Sequence, residues 1–120
     1  MASFQLSLSI IQSTVEDICS EESETENEAA IFRWKKFEDP LLFGFECQRG
    51  SGAAITCSLY LAYSTWDGRF LYIDEISDDA TPNGDTVQSL SSKAVVVSAK
   101  IAERLKCSRL TWRRTREKPL

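Results

Sequence analysis

One stretch of the chain, residues 63–75, restricts the possible folds more than any other. Its Asp67-Gly68 pair can adopt the positive φ angles that a two-residue hairpin turn requires. Apolar and polar residues alternate on both sides of this pair, as they do in strands with one buried face. The sequence therefore predicts an antiparallel β-hairpin whose strands span residues 54–63 and 70–76.

Further regular elements are predicted around the hairpin. A strand over residues 41–47 would form an antiparallel meander with the two hairpin strands. Residues 78–85 are acidic and contain Pro and Asn-Gly, which is typical of a loop. Apolar residues then recur at helical spacing over 87–106, and a short strand follows at 109–112. A helix between two strands usually connects them in parallel, so the strands on either side of this helix are expected to run parallel.

The N-terminal third is predicted to contain one strand and two helices. Residues 4–11 alternate in polarity, which indicates a strand, and a helix is expected to begin at Ser13. The segment 19–30 is acidic and nearly free of apolar side chains, so a solvated loop or a frayed helix end is expected there. An amphipathic helix over residues 29–37 would follow and end at the Asp-Pro pair at 39–40.

Size and composition limit the architecture and the chemistry. A chain of 120 residues holds one domain with one modest core. Its apolar runs are too short to span a membrane, and no signal peptide is expected. Histidine is absent, which excludes Ser-His and Cys-His nucleophile pairs. The four cysteines lack C-x-x-C spacing, so we expect reduced thiols in a cytoplasmic or nuclear protein rather than a metal site.

Charge is divided unevenly along the chain. Residues 1–39 carry nine acids and three bases, residues 40–86 carry seven acids and two bases, and residues 87–120 carry two acids and nine bases. The basic third, with its tail at 113–120, could meet an anion or pair with the acidic part of the same chain. Nucleic-acid binding is not expected, because no aromatic residues interleave with the bases of the tail.

Two motifs stand out, namely the hairpin turn with Tyr63, Trp66, Gly68 and Arg69, and the segment Cys107-Ser108-Arg109-Leu110-Thr111-Trp112. They resemble the GNAT family of N-acetyltransferases, and most closely its diamine acetyltransferase branch. That branch carries Tyr-x-x-Trp-x-Gly-(Lys/Arg) followed by Leu-Tyr-Leu-Glu-Asp, and the family carries α-Cys-(Ser/Gly)-Arg-(Leu/Phe)-x-Trp at the entry to its fifth strand. The matching turn residues here are Tyr63, Trp66, Gly68 and Arg69. The matching strands are Leu71-Tyr72-Ile73-Asp74-Glu75, with its two acids in swapped order, and Cys107-Ser108-Arg109-Leu110-Thr111-Trp112.

The resemblance covers roughly residues 40–112 and implies a fold. It predicts an α+β (α/β) domain with a partial GNAT-like fold, in which an antiparallel meander is followed by a β-α-β unit. Residues 1–120 would then form a single, incomplete domain that lacks the C-terminal helix and last strands of the family, together with the tyrosine they carry. One sheet edge would stay open, so a homodimer that completes the sheet is expected.

In the family, acetyl-CoA lies where the fourth strand splays from the fifth, with its pyrophosphate at the start of the next helix. Ser89 and Ser91 stand where the family has glycines, whereas Asp78, Asp79 and Asp85 add charge that opposes a pyrophosphate. Alternatively, the serines solvate an ordinary helix N-terminus. The resemblance assigns acetyl-CoA binding to Ile76, Val87, Gln88, Ser89, Ser91 and Ser92.

Asp74 and Glu75 match the pair that recognises or deprotonates the cationic amine in the diamine enzymes, so the resemblance makes them catalytic. Neighbouring strand residues point to opposite faces, so at most one of the two acids is expected to face the cleft. The other acid, or both, could instead cap backbone groups or pair with the basic end. Tyr63 and Trp66 would form an apolar wall for the substrate, or would pack together for stability alone.

The predicted function is acetyl transfer from acetyl-CoA to a primary amine, which would be a diamine, a polyamine or a lysine side chain. The alternative is a non-catalytic domain derived from an acetyltransferase, which works through dimerisation or protein contact. The missing glycine loop and tyrosine favour this alternative. No metal and no membrane association are expected.

Overall fold

The computed structural model describes residues 7–25, 30–49, 54–80 and 84–112. Within these ranges the chain forms two helices and one five-stranded sheet, which confirms the α+β class. The elements are α1 (Leu8–Thr25), β1 (Ala30–Lys36), β2 (Phe43–Arg49), β3 (Ala54–Ser64), β4 (Gly68–Ala80), α2 (Gly84–Arg104) and β5 (Leu110–Trp112).

The strands are arranged in the sheet in chain order, from β1 to β5. The first four strands are antiparallel, and β5 lies parallel to β4, with Leu71 opposite Leu110. Because α2 connects β4 to β5, the predicted meander and the parallel β-α-β unit are confirmed. The meander has one strand more than predicted, namely β1.

The β3–β4 hairpin turns at residues 65–67 rather than at the predicted Asp67-Gly68 pair. Ser64 pairs with Gly68, so residues 65–67 form a three-residue loop. Gly68 has a φ of 87°, the left-handed conformation that commonly ends such a loop. The Ser64 hydroxyl accepts hydrogen bonds from the backbone N–H groups of Trp66 and Asp67, at 3.1 and 3.2 Å, which fixes the turn.

Both helices contribute to one hydrophobic core, which covers one face of the sheet. The Cys57 sulfur of β3 lies 3.6 Å from the Ser98 hydroxyl of α2. The Ser23 hydroxyl of α1 accepts a hydrogen bond from the backbone N–H of Phe32 in β1. The most deeply buried side chains are Val15, Ile18, Phe45, Cys47, Ile55, Cys57, Leu59, Leu71, Ile73, Val97 and Ile101.

The predicted N-terminal strand is wrong from Leu8 onward, because α1 begins there, before its expected start. The residues before Ser7 lie outside the described part of the chain. The Ser7 hydroxyl accepts a hydrogen bond from the backbone N–H of Ile10 at 3.2 Å and caps the helix. The alternating Leu8 and Ile10 that favoured a strand are exposed, whereas the helical repeat of Val15 and Ile18 is buried.

The acidic segment, predicted as a loop or as a frayed helix end, is helical up to Thr25, and its residues 26–29 lie outside the described residues. Glu22 forms an ion pair with Lys100 of α2, and Glu21 forms one with Arg104. These bases of the C-terminal third therefore pair with acids of the same chain. The predicted basic tail lies outside the described residues.

The helix predicted over residues 29–37 is also wrong, because residues 30–36 form β1. Phe32 is buried, and Trp34 stacks on Phe43 of β2 with ring centroids 6.2 Å apart. The alternation of these aromatics with bases suits a strand that has one buried face. The predicted break at the Asp-Pro pair is confirmed as the turn before β2.

The loop predicted over residues 78–85 is shorter than expected. β4 continues to Ala80, and α2 begins at Gly84. At the other end of α2, the backbone N–H of Cys107 donates to the carbonyl of Ala102 at 2.8 Å, which reverses the chain toward β5.

Candidate functional site

A β-bulge in β4 places the two predicted catalytic acids on the same face of the sheet. Leu59 of β3 pairs with Ile73 of β4. The neighbouring Ser58 pairs with Glu75, which leaves Asp74 as an extra residue between the two pairs. Asp74 also accepts a hydrogen bond from Ser58, so both carboxylates lie on the face opposite the helices. The expectation that they point to opposite faces is wrong, because it assumed an unbroken strand.

Ser58 fixes the orientation of the first carboxylate. Its side chain is polar but only 6% exposed. Its hydroxyl lies 3.2 Å from Oδ2 of Asp74 and 3.4 Å from the carbonyl oxygen of Glu75, and it can donate to either acceptor. Asp74 itself is exposed, and a carboxylate has several acceptor sites. Asp74 can therefore bind a ligand while it keeps the bond to Ser58.

Asp74 lines a pocket of about 330 Å³ together with the turn that precedes β2. Asp39 of this turn supplies a second carboxylate to the lining. Its Oδ1 accepts a hydrogen bond from the backbone N–H of Leu41 at 2.9 Å, and its carbonyl accepts one from Leu42 at 3.0 Å. The turn is therefore fixed by its own hydrogen bonds. The remaining lining residues are Leu41, Leu42, Tyr60 and Leu61.

The composition of this pocket favours a cationic ligand with an apolar chain. Its lining contains two carboxylates, and none of its described lining residues is Lys or Arg. Tyr60 stacks on Tyr72 with ring centroids 4.8 Å apart, which holds the ring in place. An ammonium group can bind a carboxylate and an aromatic face together, and a methylene chain can pack on the leucines. We name this cavity the bulge pocket.

The two aromatic residues predicted to bind substrate lie elsewhere. Tyr63 lies near the end of β3 and Trp66 lies in the hairpin loop, and their exposed fractions are 48% and 92%. Asp74 is six positions after Gly68 along β4, which corresponds to about 20 Å. The structure therefore does not bring this aromatic pair together with the acids of the bulge.

The pairing of β4 with β5 ends at Ile73 and Trp112, immediately before the bulge. β4 continues to Ala80, and no described residue pairs with the β5 side of residues 74–80. This edge corresponds to the strand on which the resemblance predicts the pantetheine of acetyl-CoA. Ile76 lies in this segment, and its side chain packs against the core. Any contact of Ile76 with a ligand at the edge would therefore use its backbone.

The residues predicted to bind the pyrophosphate lie along the N-terminal part of α2. Because α2 begins at Gly84, Ser89 lies in the second turn, where backbone N–H groups are bonded to carbonyls of the preceding turn. The first turn, whose N–H groups can bind an anion, contains Asp85, and its negative charge would repel a phosphate. The predicted acetyl-CoA residues on α2 are Val87, Gln88, Ser89, Ser91 and Ser92.

Sequence reasoning missed Asp39, Ser58 and Tyr60. An Asp-Pro pair indicates the end of a helix or strand, but it does not indicate that the carboxylate lies near a strand residue more than thirty positions later. Ser58 stands between the buried Cys57 and Leu59. A polar residue in such a run is the one local signal that could have identified it.

Burial disfavours the thiolate form of three described cysteines, Cys19, Cys57 and Cys107. Burial raises the pKa of the Cys19 thiol to about 12. Burial also raises the pKa of Cys57 to about 12, although the hydrogen bond with Ser98 lowers it. For Cys107, burial raises the pKa and the charge of Arg69 lowers it. Because the thiolate is the nucleophilic form, burial disfavours nucleophilic chemistry at these three side chains.

No protein-family model matches the chain, and no match was found among the curated proteins or among the solved structures. The acetyltransferase resemblance therefore rests on its two motifs alone. Among the described residues, no group of three His, Cys, Asp or Glu side chains could hold a metal ion. In the same ranges, no helix is long and apolar enough to cross a membrane.

Proposed function

We propose that this chain is an N-acetyltransferase-like domain that binds a primary amine in the bulge pocket. One observation carries the proposal: the bulge turns Asp74 and Glu75 to the same face, and Asp74 lines a pocket that also contains Asp39. The family resemblance independently assigns the amine to the same pair of acids.

Recognition would divide between charge and apolar contact. The ammonium group would bind Asp74, whose second contact, to Ser58, is already in place. The alkyl chain would pack on Tyr60 and Leu42. In a diamine or polyamine, the second cationic group would lie near Asp39. A lysine side chain would use the same pocket without this second contact.

Acetyl transfer from acetyl-CoA to that amine is the reaction that the resemblance implies. An ammonium must lose a proton before it can act as a nucleophile, and Asp74 or Glu75 could accept the proton directly or through water. The edge of β4 after Ile73, with which no described residue pairs on the β5 side, supports this activity, and the acidic first turn of α2 opposes it. Amine binding is therefore the part of the function that the geometry supports best.

The acidic first turn of α2 favours the alternative, a non-catalytic domain derived from an acetyltransferase. In that case the bulge pocket would hold a lysine side chain of a partner protein. A homodimer that pairs the β5 edges would complete the sheet in either case.

Isothermal titration with spermidine and with lysine methyl ester tests amine binding. Asp74→Asn should weaken binding about tenfold to hundredfold, because it removes a charge-assisted hydrogen bond. Asp17→Asn is the matched control, since it removes the same charge from an exposed position on α1. Equal weakening by both variants, or no binding to the unaltered chain at millimolar amine, would reject the bulge pocket.

The release of free thiol from acetyl-CoA, measured with each amine that binds, then separates the two candidate functions. Thiol release that falls with Asp74→Asn but not with Asp17→Asn would support the transferase. Amine binding without thiol release would support the non-catalytic domain.

A further inference from the structure

A groove lies at the end of the sheet opposite β5, between α1 and β1, with a volume of about 480 Å³. Phe32, Arg33 and Trp34 of β1 all line it. Because consecutive strand residues point to opposite faces, a groove that contacts all three opens along the strand edge. The helical wall is a stripe of α1 residues from Glu16 to Ser23. We name this cavity the β1 groove.

The backbone of β1 directs hydrogen-bonding groups into this groove. Among the described residues β1 pairs only with β2. The backbone N–H of Phe32 donates to the Ser23 hydroxyl at 2.9 Å, so it points away from β2. Directions alternate along a strand, so Trp34 and Lys36 also turn their N–H and C=O groups outward. Ser23 covers the first donor, and the outward groups after it form an edge that can accept an added strand.

The charges of β1 select an acidic partner. Arg33 and Lys35 lie on the face opposite the helices. Arg33 is opposite Glu46 of β2, whereas Lys35 is opposite Gly44 and has no acid across the pair. An added strand would place its outward side chains beside these bases, where acids are favourable. A second copy of β1 would place bases beside bases, which disfavours self-pairing.

The helix side of the groove selects apolar side chains. Phe32 and the neighbouring Cys19 are buried, and Trp34 is half-buried against Phe43. Glu16 is the charged residue of the helical wall, and it would repel an acid directed inward. The two faces of an added strand are thus distinguished, with acidic side chains outward and apolar side chains inward.

We infer that the β1 groove binds an extended peptide of alternating acidic and apolar residues, which adds to the sheet beside β1. The peptide residue opposite Trp34 directs its side chain inward and exchanges backbone hydrogen bonds with Trp34. Its two neighbours direct acids toward Arg33 and Lys35. This site is separate from the bulge pocket, so it does not depend on the proposed amine binding.

Fluorescence anisotropy with a labelled Glu-Val-Glu-Val-Glu peptide and the full chain tests the site. We expect a Kd below about 100 μM, the range of a weak peptide contact. N-methylation of the valine that lies opposite Trp34 removes its backbone hydrogen bond to Trp34 and should weaken peptide binding about tenfold. N-methylation of the central Glu is the matched control, because that N–H points away from β1, and it should leave binding unchanged.

Charge reversal on the protein gives a second readout. Lys35→Glu should weaken binding of the acidic peptide about tenfold and strengthen binding of a Lys-Val-Lys-Val-Lys peptide. Lys106→Glu, at the far end of α2, is the control and should change the binding of neither peptide. If both N-methylations reduced peptide affinity equally, the proposal that the peptide adds as a strand would be overturned. Absence of binding at about 1 mM peptide would overturn the site itself. A dimer in sedimentation that the peptide dissociates would show that a second copy occupies the edge, which also overturns the proposal.

Discussion

At the scale of single residues, Lys106 holds an unfavourable backbone conformation with a φ of 64°. It is the only non-glycine residue with positive φ among those described. Its N–H donates to the carbonyl of Glu103 at 3.1 Å, and the chain reversal after α2 depends on its conformation. Glycine adopts this conformation without strain from a β-carbon. We expect Lys106→Gly to raise the free energy of unfolding by about 0.5–1 kcal/mol.

Urea denaturation measures this change, and Lys106→Ala is its control. The alanine variant removes the same charge and the same long side chain but keeps the β-carbon, so it should give no gain. If both variants were stabilised equally, the gain would come from the loss of charge rather than from the backbone.

At the scale of elements, the burial of Cys57 of β3, which faces Ser98 of α2, makes the stability of this packing dependent on pH. Burial raises the pKa of the Cys57 thiol from 9.0 to about 12, with an opposing contribution from Ser98. The folded state therefore keeps a proton that the unfolded chain loses between pH 9.0 and about 12. The contribution of the protonated Cys57 thiol to stability is complete below pH 9.0. As the pH rises from there toward about 12, this contribution decreases by up to about 1.4 kcal/mol per pH unit.

Urea denaturation over this pH range, with Cys57→Ala beside the unaltered chain, checks the effect. The variant should be less stable at neutral pH because it leaves a cavity, but its stability should fall less steeply as the pH rises. Other groups titrate in both proteins alike, so the difference between the slopes belongs to Cys57. Parallel curves would mean that this thiol is not protected by the fold.

The elements that the sequence predicted correctly carry their own local pattern. The alternation in β3 and β4 and the apolar repeat in α2 are each visible within a single element. β1 is different, since its bases and aromatics satisfy either a strand or an amphipathic helix, and only its pairing with β2 decides between them. The alternation of Leu8 and Ile10 with polar residues likewise favoured a strand, although both residues are exposed on α1.

In the candidate site, too, the residues could be predicted from a local motif, whereas the features that depend on pairing between elements could not. Asp74 and Glu75 could be predicted from the motif, but their common face could not, because a bulge is a property of the register between two strands. Asp39 joins Asp74 only through the turn that leads from β1 into β2, and β1 itself was predicted as a helix. A pocket assembled from distant segments is therefore predicted only when each element and each register is correct.

At the scale of the whole molecule, one core serves both helices and the sheet. Ile18 of α1 and Ile101 of α2 are both fully buried in the same cluster. In each ion pair between the two helices, at least one of the two side chains is exposed to solvent. Ion pairs of this kind contribute little to stability. The packing of the two helices against each other therefore depends mainly on this cluster.

We expect Ile18→Ala and Ile101→Ala each to lower the free energy of unfolding by about 2–4 kcal/mol, because each leaves a cavity in the shared core. Far-ultraviolet circular dichroism and tryptophan fluorescence, followed in urea, should report coincident transitions in both variants, since a single core unfolds as one unit. Ile10→Ala is the control, because Ile10 is 51% exposed, and it should change stability by less than about 0.5 kcal/mol. Separate transitions for helix content and fluorescence would show that α1 unfolds independently, which would contradict one shared core.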